Sequence, residues 1–199
     1  MTAPDETVHE TAPLARLIDA IAFAAERHRH QRRKDAQASP YINHPIALVR
    51  VLAVEAGVDD SVALMAAVLH DTIEDTDTTE AELRERFGEA VARVVVEVTD
   101  DKRLPKQRRK QLQIEHAPQS SPRTKLVKLA DKIVNLRDMA ACPPADWPIE
   151  RRLDYFDWAG QVVDALRPAH ARLEALFDEA HAARAPAHAG ARSDDPPRP

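Results

Sequence analysis

The chain has 199 residues, 44% of them hydrophobic, a net charge of −5 and a single cysteine, Cys142. That length suits one domain burying roughly 70% of its unfolded surface. The lone cysteine excludes an internal disulfide framework and a multi-cysteine zinc site, and no apolar run of about 18 residues is present to span a membrane.

Few alternating apolar runs and only four glycines point to an all-α class, a single-domain helical bundle. Residues 1–12 are expected to be a flexible N-terminus, 13–185 the folded domain and 186–199 a disordered tail rich in alanine, proline and charge. Met1 to Glu6 lack the basic and apolar segments of a secretion leader, so a cytoplasmic location is expected.

The first helix is expected after Pro13, with Leu14, Leu17, Ile18, Ile21 and Ala25 at helical spacing as far as His28. His28 reads as a packed, hydrogen-bonded core histidine. A basic run, Arg27 to Lys34, leads into a loop over Asp35–Pro40. The second helix starts at Pro45, since proline suits the first turn and pushes the residue before it out of the α region. His44 then sits at a helix N-terminus, where the dipole favours the neutral ring that a metal needs. Gly57 ends that helix.

Asp59, Asp60 or Ser61 can cap the third helix. Val62 to Leu69 is apolar on every face, so this helix is expected to be buried all round and to carry His70 and Asp71 into the interior. Thr79 and Glu82 form a capping box for a short helix that Gly88 stops. Val91, Val94, Val95 and Val98 keep helical spacing, although so much valine leaves a strand open. Lys106 to Glu115 reads as a helix, Ser121-Pro122 opens a longer one to about Ala141, and two more follow Pro148 and Pro168.

The chemistry concentrates at His70-Asp71. A His-Asp pair is a weak sign by itself, but this one ends a buried helix and is followed by Glu74 and Asp75, one helical turn further on. Carboxylates about 4 Å apart repel by roughly 4 kcal/mol at an effective dielectric of 20, so the cluster calls for a cation or a proton. Asp131, Asn135 and Asp138 share one side of a later helix; periodicity alone leaves Asp131 either a ligand or part of a solvated polar face. Two imidazoles and two carboxylates suit Mn²⁺, Fe²⁺ or Zn²⁺ better than Ca²⁺. Such a cation activates water and polarises a phosphoryl group, which makes phosphoester hydrolysis the natural reaction. The basic segments 27–34 and 102–110 read either as solvated surface or as a clamp for a small polyanion. Tyr155 and Trp158 read as packed residues or as pocket lining. A general nucleic-acid binder is more often basic overall, so no nucleic-acid partner is expected.

Several segments carry a family resemblance: Gln31–Asp35, Pro40–Pro45, His70–Thr76, Glu97–Lys102, Lys125–Lys132 and Asn135–Arg137. In that order they resemble the HD-domain phosphohydrolases of the RelA/SpoT type, and more narrowly the small stand-alone, Mesh1-like alarmone hydrolases, over about residues 14–180. The resemblance implies an all-helical HD-domain bundle and Mn²⁺ held by His44, His70, Asp71 and Asp131. It implies Glu74 and Asp75 as the pair that positions the attacking water. Arg33, Lys34 and Asn135 match residues near the guanine nucleoside, and Lys106, Arg151 and Tyr155 match phosphate or ribose contacts. The activity it implies is metal-dependent removal of the 3′-pyrophosphate from ppGpp or pppGpp, a small-molecule guanine nucleotide, without alarmone synthesis. The same centre could serve another nucleotide phosphate, such as the NADPH 2′-phosphate, or the chain could be a non-catalytic nucleotide-binding module. An intact Glu74-Asp75 pair favours turnover over sensing.

Overall fold

Proline and polar caps set most of the helix starts in the computed structural model of the protein, which describes residues 13–35, 37–144 and 146–184. The expected N-terminal segment 1–12 and tail 186–199 lie outside the described residues. Helix α1 spans Pro13–Arg27, and α2 spans Asn43–Arg50 before running into a π-helical turn, Val51–Glu55. Gly57, at φ 72°, ends that run in a backbone region that side-chain-bearing residues avoid. Then come α3 (Ser61–Leu69), the single turn α4 (Thr72–Asp75), α5 (Glu80–Phe87) and α6 (Glu89–Val98). Helices α7 (Lys106–His116), α8 (Pro122–Ala141), α9 (Ile149–Leu166) and α10 (Ala171–Ala182) complete the order. Among the described residues no strand forms; Arg32 and Pro40 make one isolated bridge that closes the loop after α1. The valine-rich segment is α6, a helix.

The caps are local. Asp60 accepts from the Val62 and Ala63 amides at the start of α3, Thr79 from the Glu82 amide, and Ser121 from the Thr124 amide. Each such cap contributes about 1 kcal/mol. The expected box at α5 is half made, because the Glu82 carboxylate turns to Arg27 instead.

Two helices organise the core. Helix α3 packs against α1, α2, α6 and α8, and α8 against α2, α6, α9 and α10 as well. Residues Ala63 to Leu69 are all buried, as an all-round apolar helix requires. The stripe on α1 is rotated from the one its large side chains suggest. Ala20, Phe23 and Ala24 are buried, whereas Leu14 and Ile18 are 69% and 57% exposed. Small alanines bring the α1 backbone close to α3, and that approach leaves two large residues outside. The α3 C-terminus, the first turn of α2 and the middle of α8 thereby meet at one place in the interior.

Candidate metal centre and active site

His44 from α2, His70 from the end of α3 and Asp131 from α8 each bring one ligand-capable atom to within 4.8 Å of the others. His44 Nε2 lies 3.3 Å from Asp131 Oδ1. His70 Nδ1 is 2.9 Å from the Ala67 carbonyl and donates to it, which fixes the tautomer and aims Nε2 at the cluster. Asp71, the fourth expected ligand, borders the group: its Oδ2 is 2.8 Å from His70 Nε2 and accepts from the Tyr41 hydroxyl. Three of the four expected ligands are thus gathered, and the fourth is held at their edge.

The electrostatics fit a dication. Burial holds the His44 imidazole below its ordinary range, so that ring is neutral. Burial also pulls His70 down, but the adjacent Asp71 carboxylate outweighs it and pushes the imidazole up to about 9. Burial raises Asp131 and Asp71, yet the surrounding cations win and both carboxyls sit well below the usual range. Two anions and two imidazole nitrogens in the interior form a donor set suited to a first-row divalent metal. Lys132, buried beside Asp131, takes its other oxygen at 2.9 Å, and Asn135 Nδ2 donates to Oδ1 at 2.6 Å. A buried pair of this kind is costly to desolvate and costly to break.

A second layer fixes the loop between α1 and α2. His28 is buried, and its Nδ1 donates to Gln31 Oε1 at 2.5 Å. Gln31 Nε2 in turn donates to the Asp75 carbonyl at 2.7 Å. The Tyr41 ring lies between His28 and His44, with centroids 4.9 and 5.9 Å away. Burial, and next the Asp71 carboxylate, raise the Tyr41 phenol above its usual range, so its hydroxyl stays a donor.

Glu74 and Asp75 occupy the single turn α4 directly after this centre. Glu74 Oε2 accepts from the Asp100 amide at 3.2 Å, and Oε1 lies 3.5 Å from Arg109 Nη1. Burial is the main reason the Glu74 carboxyl is raised, with Asp71 adding to it. Asp75 pairs with Lys102.

Two cavities flank the site and share Trp147 and Tyr155. The first, about 460 Å³, is lined by Arg33, Lys34, His44, Asn135 and Tyr155 among others. The second, about 740 Å³, includes Lys106, Arg109, Lys110, Arg151 and Tyr155. The expected nucleoside contacts therefore border one cavity and the expected phosphate contacts the other, with Tyr155 between them. Burial pushes the Tyr155 phenol up to about 12.

Ion pairing divides the two basic segments. Arg33 pairs with Asp138, Lys102 with Asp75, Arg103 with Asp101 and Arg108 with Glu115. Lys34, Lys106, Lys110 and Arg151 enter no ion pair among the described residues, and they face the cavities. Arg151 lies over the Trp147 ring at 4.0 Å. Trp158 has Lys110 and Lys132 over it, 4.6 and 4.5 Å from the ring centroid. The sequence assigns no role of their own to Tyr41, Lys132 or Trp147, and Arg109 enters it only as one cation of the basic segment 102–110. Their partners lie far off in the chain or are buried charges, and short-range periodicity registers neither.

The HD domain family model matches residues 20–153. A human protein named guanosine-3′,5′-bis(diphosphate) 3′-pyrophosphohydrolase MESH1 is 57% identical over 160 residues, 80% of this chain and 89% of that one. Its Drosophila melanogaster namesake is 52% identical, over 85% of this chain and 94% of that one. A solved structure described as "A metazoan ortholog of SpoT hydrolyzes ppGpp and plays a role in starvation responses" is similar with a TM-score of 0.83 and 48% identity, over 92% of this chain and 98% of that one.

Proposed function

We propose that this chain, which belongs to the HD-domain family, is a guanosine-3′,5′-bis(diphosphate) 3′-pyrophosphohydrolase acting on ppGpp and pppGpp. The observation that carries this is the His44–His70–Asp131 group with Glu74 one turn beyond His70 and cation-lined cavities alongside. Similarity to the human and fly 3′-pyrophosphohydrolases over most of their length supports the choice of substrate.

His44, His70, Asp71 and Asp131 would hold the dication, for which Mn²⁺ is our choice. When bound, it supplies Lewis acidity that activates water and polarises a phosphoryl oxygen. The chain's own residues do the rest. Glu74, half-buried and oriented by the Asp100 amide, takes the proton from the attacking water. Asp75, anchored through Lys102 and through its own carbonyl, lines up that water. The new P–O bond forms at the phosphorus attached to the ribose 3′-oxygen, the P–O3′ bond breaks, and the 3′-oxygen leaves with the proton that Glu74 took from the water. Pyrophosphate and GDP, or GTP from pppGpp, are the products. Arg33, Lys34 and Asn135 would seat the guanine nucleoside, and Lys106, Arg151 and Tyr155 the phosphates and ribose. We place this activity in the cytoplasm.

Turnover of ppGpp with Mn²⁺ by the purified protein tests this reading, with Asp71→Asn and Glu74→Gln alongside. Glu74→Gln is expected to lose about 10²- to 10⁴-fold in kcat, the usual range for a general base. Full activity in Asp71→Asn, or none in the wild type, rejects the assignment. NADPH assayed in parallel decides substrate preference, and a higher kcat/KM on NADPH would replace ppGpp as the main substrate.

A further inference from the structure

Helix α7 buries no residue, yet the Arg109 side chain on it is only 25% exposed. Its guanidinium sits at the boundary between the acids and the larger cavity. Nη1 is 3.5 Å from Glu74 Oε1 and 4.0 Å from Asp100 Oδ2, while the buried Nε has no hydrogen-bond partner among the described residues. Asp100 is committed elsewhere, since its Oδ2 accepts from Gln113 Nε2 at 2.8 Å and its amide donates to Glu74 Oε2. Arg109 is therefore the cation that reaches Glu74, as Lys102 is the one that reaches Asp75.

A carboxylate held at one oxygen still swings about its broad terminal torsion. A donor on the second oxygen fixes the plane of the group and so the direction of its lone pairs. We propose that Arg109 is a positioning residue for the hydrolytic step, orienting the Glu74 carboxylate from the cavity side while the Asp100 amide holds its other oxygen. This rests on the reading of Glu74 as the acid that takes the proton from water. Misplacement of a reacting group by about 1 Å costs on the order of 10²-fold, which sets the expected size of the effect.

The test is a double-mutant cycle on ppGpp turnover with Mn²⁺, using Arg109→Gln, Glu74→Gln and the pair. Arg109→Gln is expected to lower kcat about 10- to 100-fold with KM changed by less than about 3-fold. In the Glu74→Gln background the same change should cost less than about 2-fold, because the group it orients has lost its function. Arg109→Lys, which keeps the charge but not the fork, should regain part of the loss; it carries the same cycle if Arg109→Gln does not fold. Equal losses in both backgrounds would mean that Arg109 acts independently of Glu74 and would overturn the inference. A rise in KM alone would make Arg109 a simple anion contact and overturn it too. Absence of turnover in the wild type would instead bring down the underlying reading and this inference with it, so the two failures are distinguishable.

Discussion

The Tyr41 hydroxyl donates a hydrogen bond to Asp71 Oδ2, the same oxygen that lies 2.8 Å from His70 Nε2. One phenol from the α1–α2 loop thereby ties that loop to the end of α3 and sets the direction of a carboxylate beside the candidate metal group. Tyr41→Phe removes only the donor and leaves the ring packed between His28 and His44. Partners behind a metal ligand typically contribute about 10- to 100-fold in metal affinity. Mn²⁺ affinity of Tyr41→Phe measured by calorimetry is expected to fall by that amount, and unchanged affinity would show that Asp71 needs no such support.

Metal entry has a proton cost at neutral pH. Burial lowers the His70 imidazole, but Asp71 outweighs it and raises it to about 9, so the metal-free ring is protonated at pH 7. A coordinating imidazole must be neutral. Binding of Mn²⁺ at pH 7 should therefore release about one proton per metal from His70, with the release fading as pH rises above 9. Calorimetry in two buffers of different ionisation enthalpy reads it directly, and identical heats in both would contradict it.

Glu97 joins α6 to the start of α8, accepting from the Ser121 amide, the Ser121 hydroxyl and the Thr124 hydroxyl, each at 2.7 Å. Burial raises this carboxyl, but the hydrogen bonds together hold it below its ordinary value. A carboxyl depressed by folding stabilises above its unfolded pKa, and that contribution is lost as pH falls through the folded value. Glu97→Gln should melt several degrees below the wild type at pH 7, at about 2–4 °C per kcal/mol for a chain of this size. The gap should close as pH drops below about 4. A gap that stays constant with pH would mean that shape, not charge, makes the joint.

The rotated stripe of α1 separates two substitutions that hydropathy would treat alike. Phe23→Ala, at 4% exposure, is expected to cost about 3–5 kcal/mol. Ile18→Lys, at a site 57% exposed, should fall within about 0.5 kcal/mol. Urea unfolding compares the two, and a large loss for Ile18→Lys would show that this face is covered in solution.

These contrasts show what the sequence makes legible. Helix starts at Pro13 and Pro122 and caps at Asp60, Thr79 and Ser121 obey local rules that act within four residues, so they can be read directly. The buried run ending in His70-Asp71 is equally plain, because no surface helix is apolar on all faces. The buried face of α1 is harder to read, because large residues dominate hydropathy while Ala20 and Ala24 make the close approach. Glu82 satisfied the capping pattern, but Arg27, 55 positions away, captures its carboxylate. Tyr41 with Asp71 and Arg109 with Glu74 are 30 and 35 positions apart, and only the fold brings them together. Asp131 sits between these cases: periodicity leaves it a ligand or a polar surface residue, and the structure holds it half-buried beside Lys132 and His44.

Metal-stripped protein titrated with Mn²⁺ in the presence of ppGpp shows whether product release depends on the dication. No turnover is expected without metal, then a rise that saturates near one Mn²⁺ per chain, with pyrophosphate and GDP appearing in equal amounts. Undiminished turnover by the stripped protein, or release of orthophosphate in place of pyrophosphate, would contradict a dication-dependent cut at the ribose 3′-oxygen.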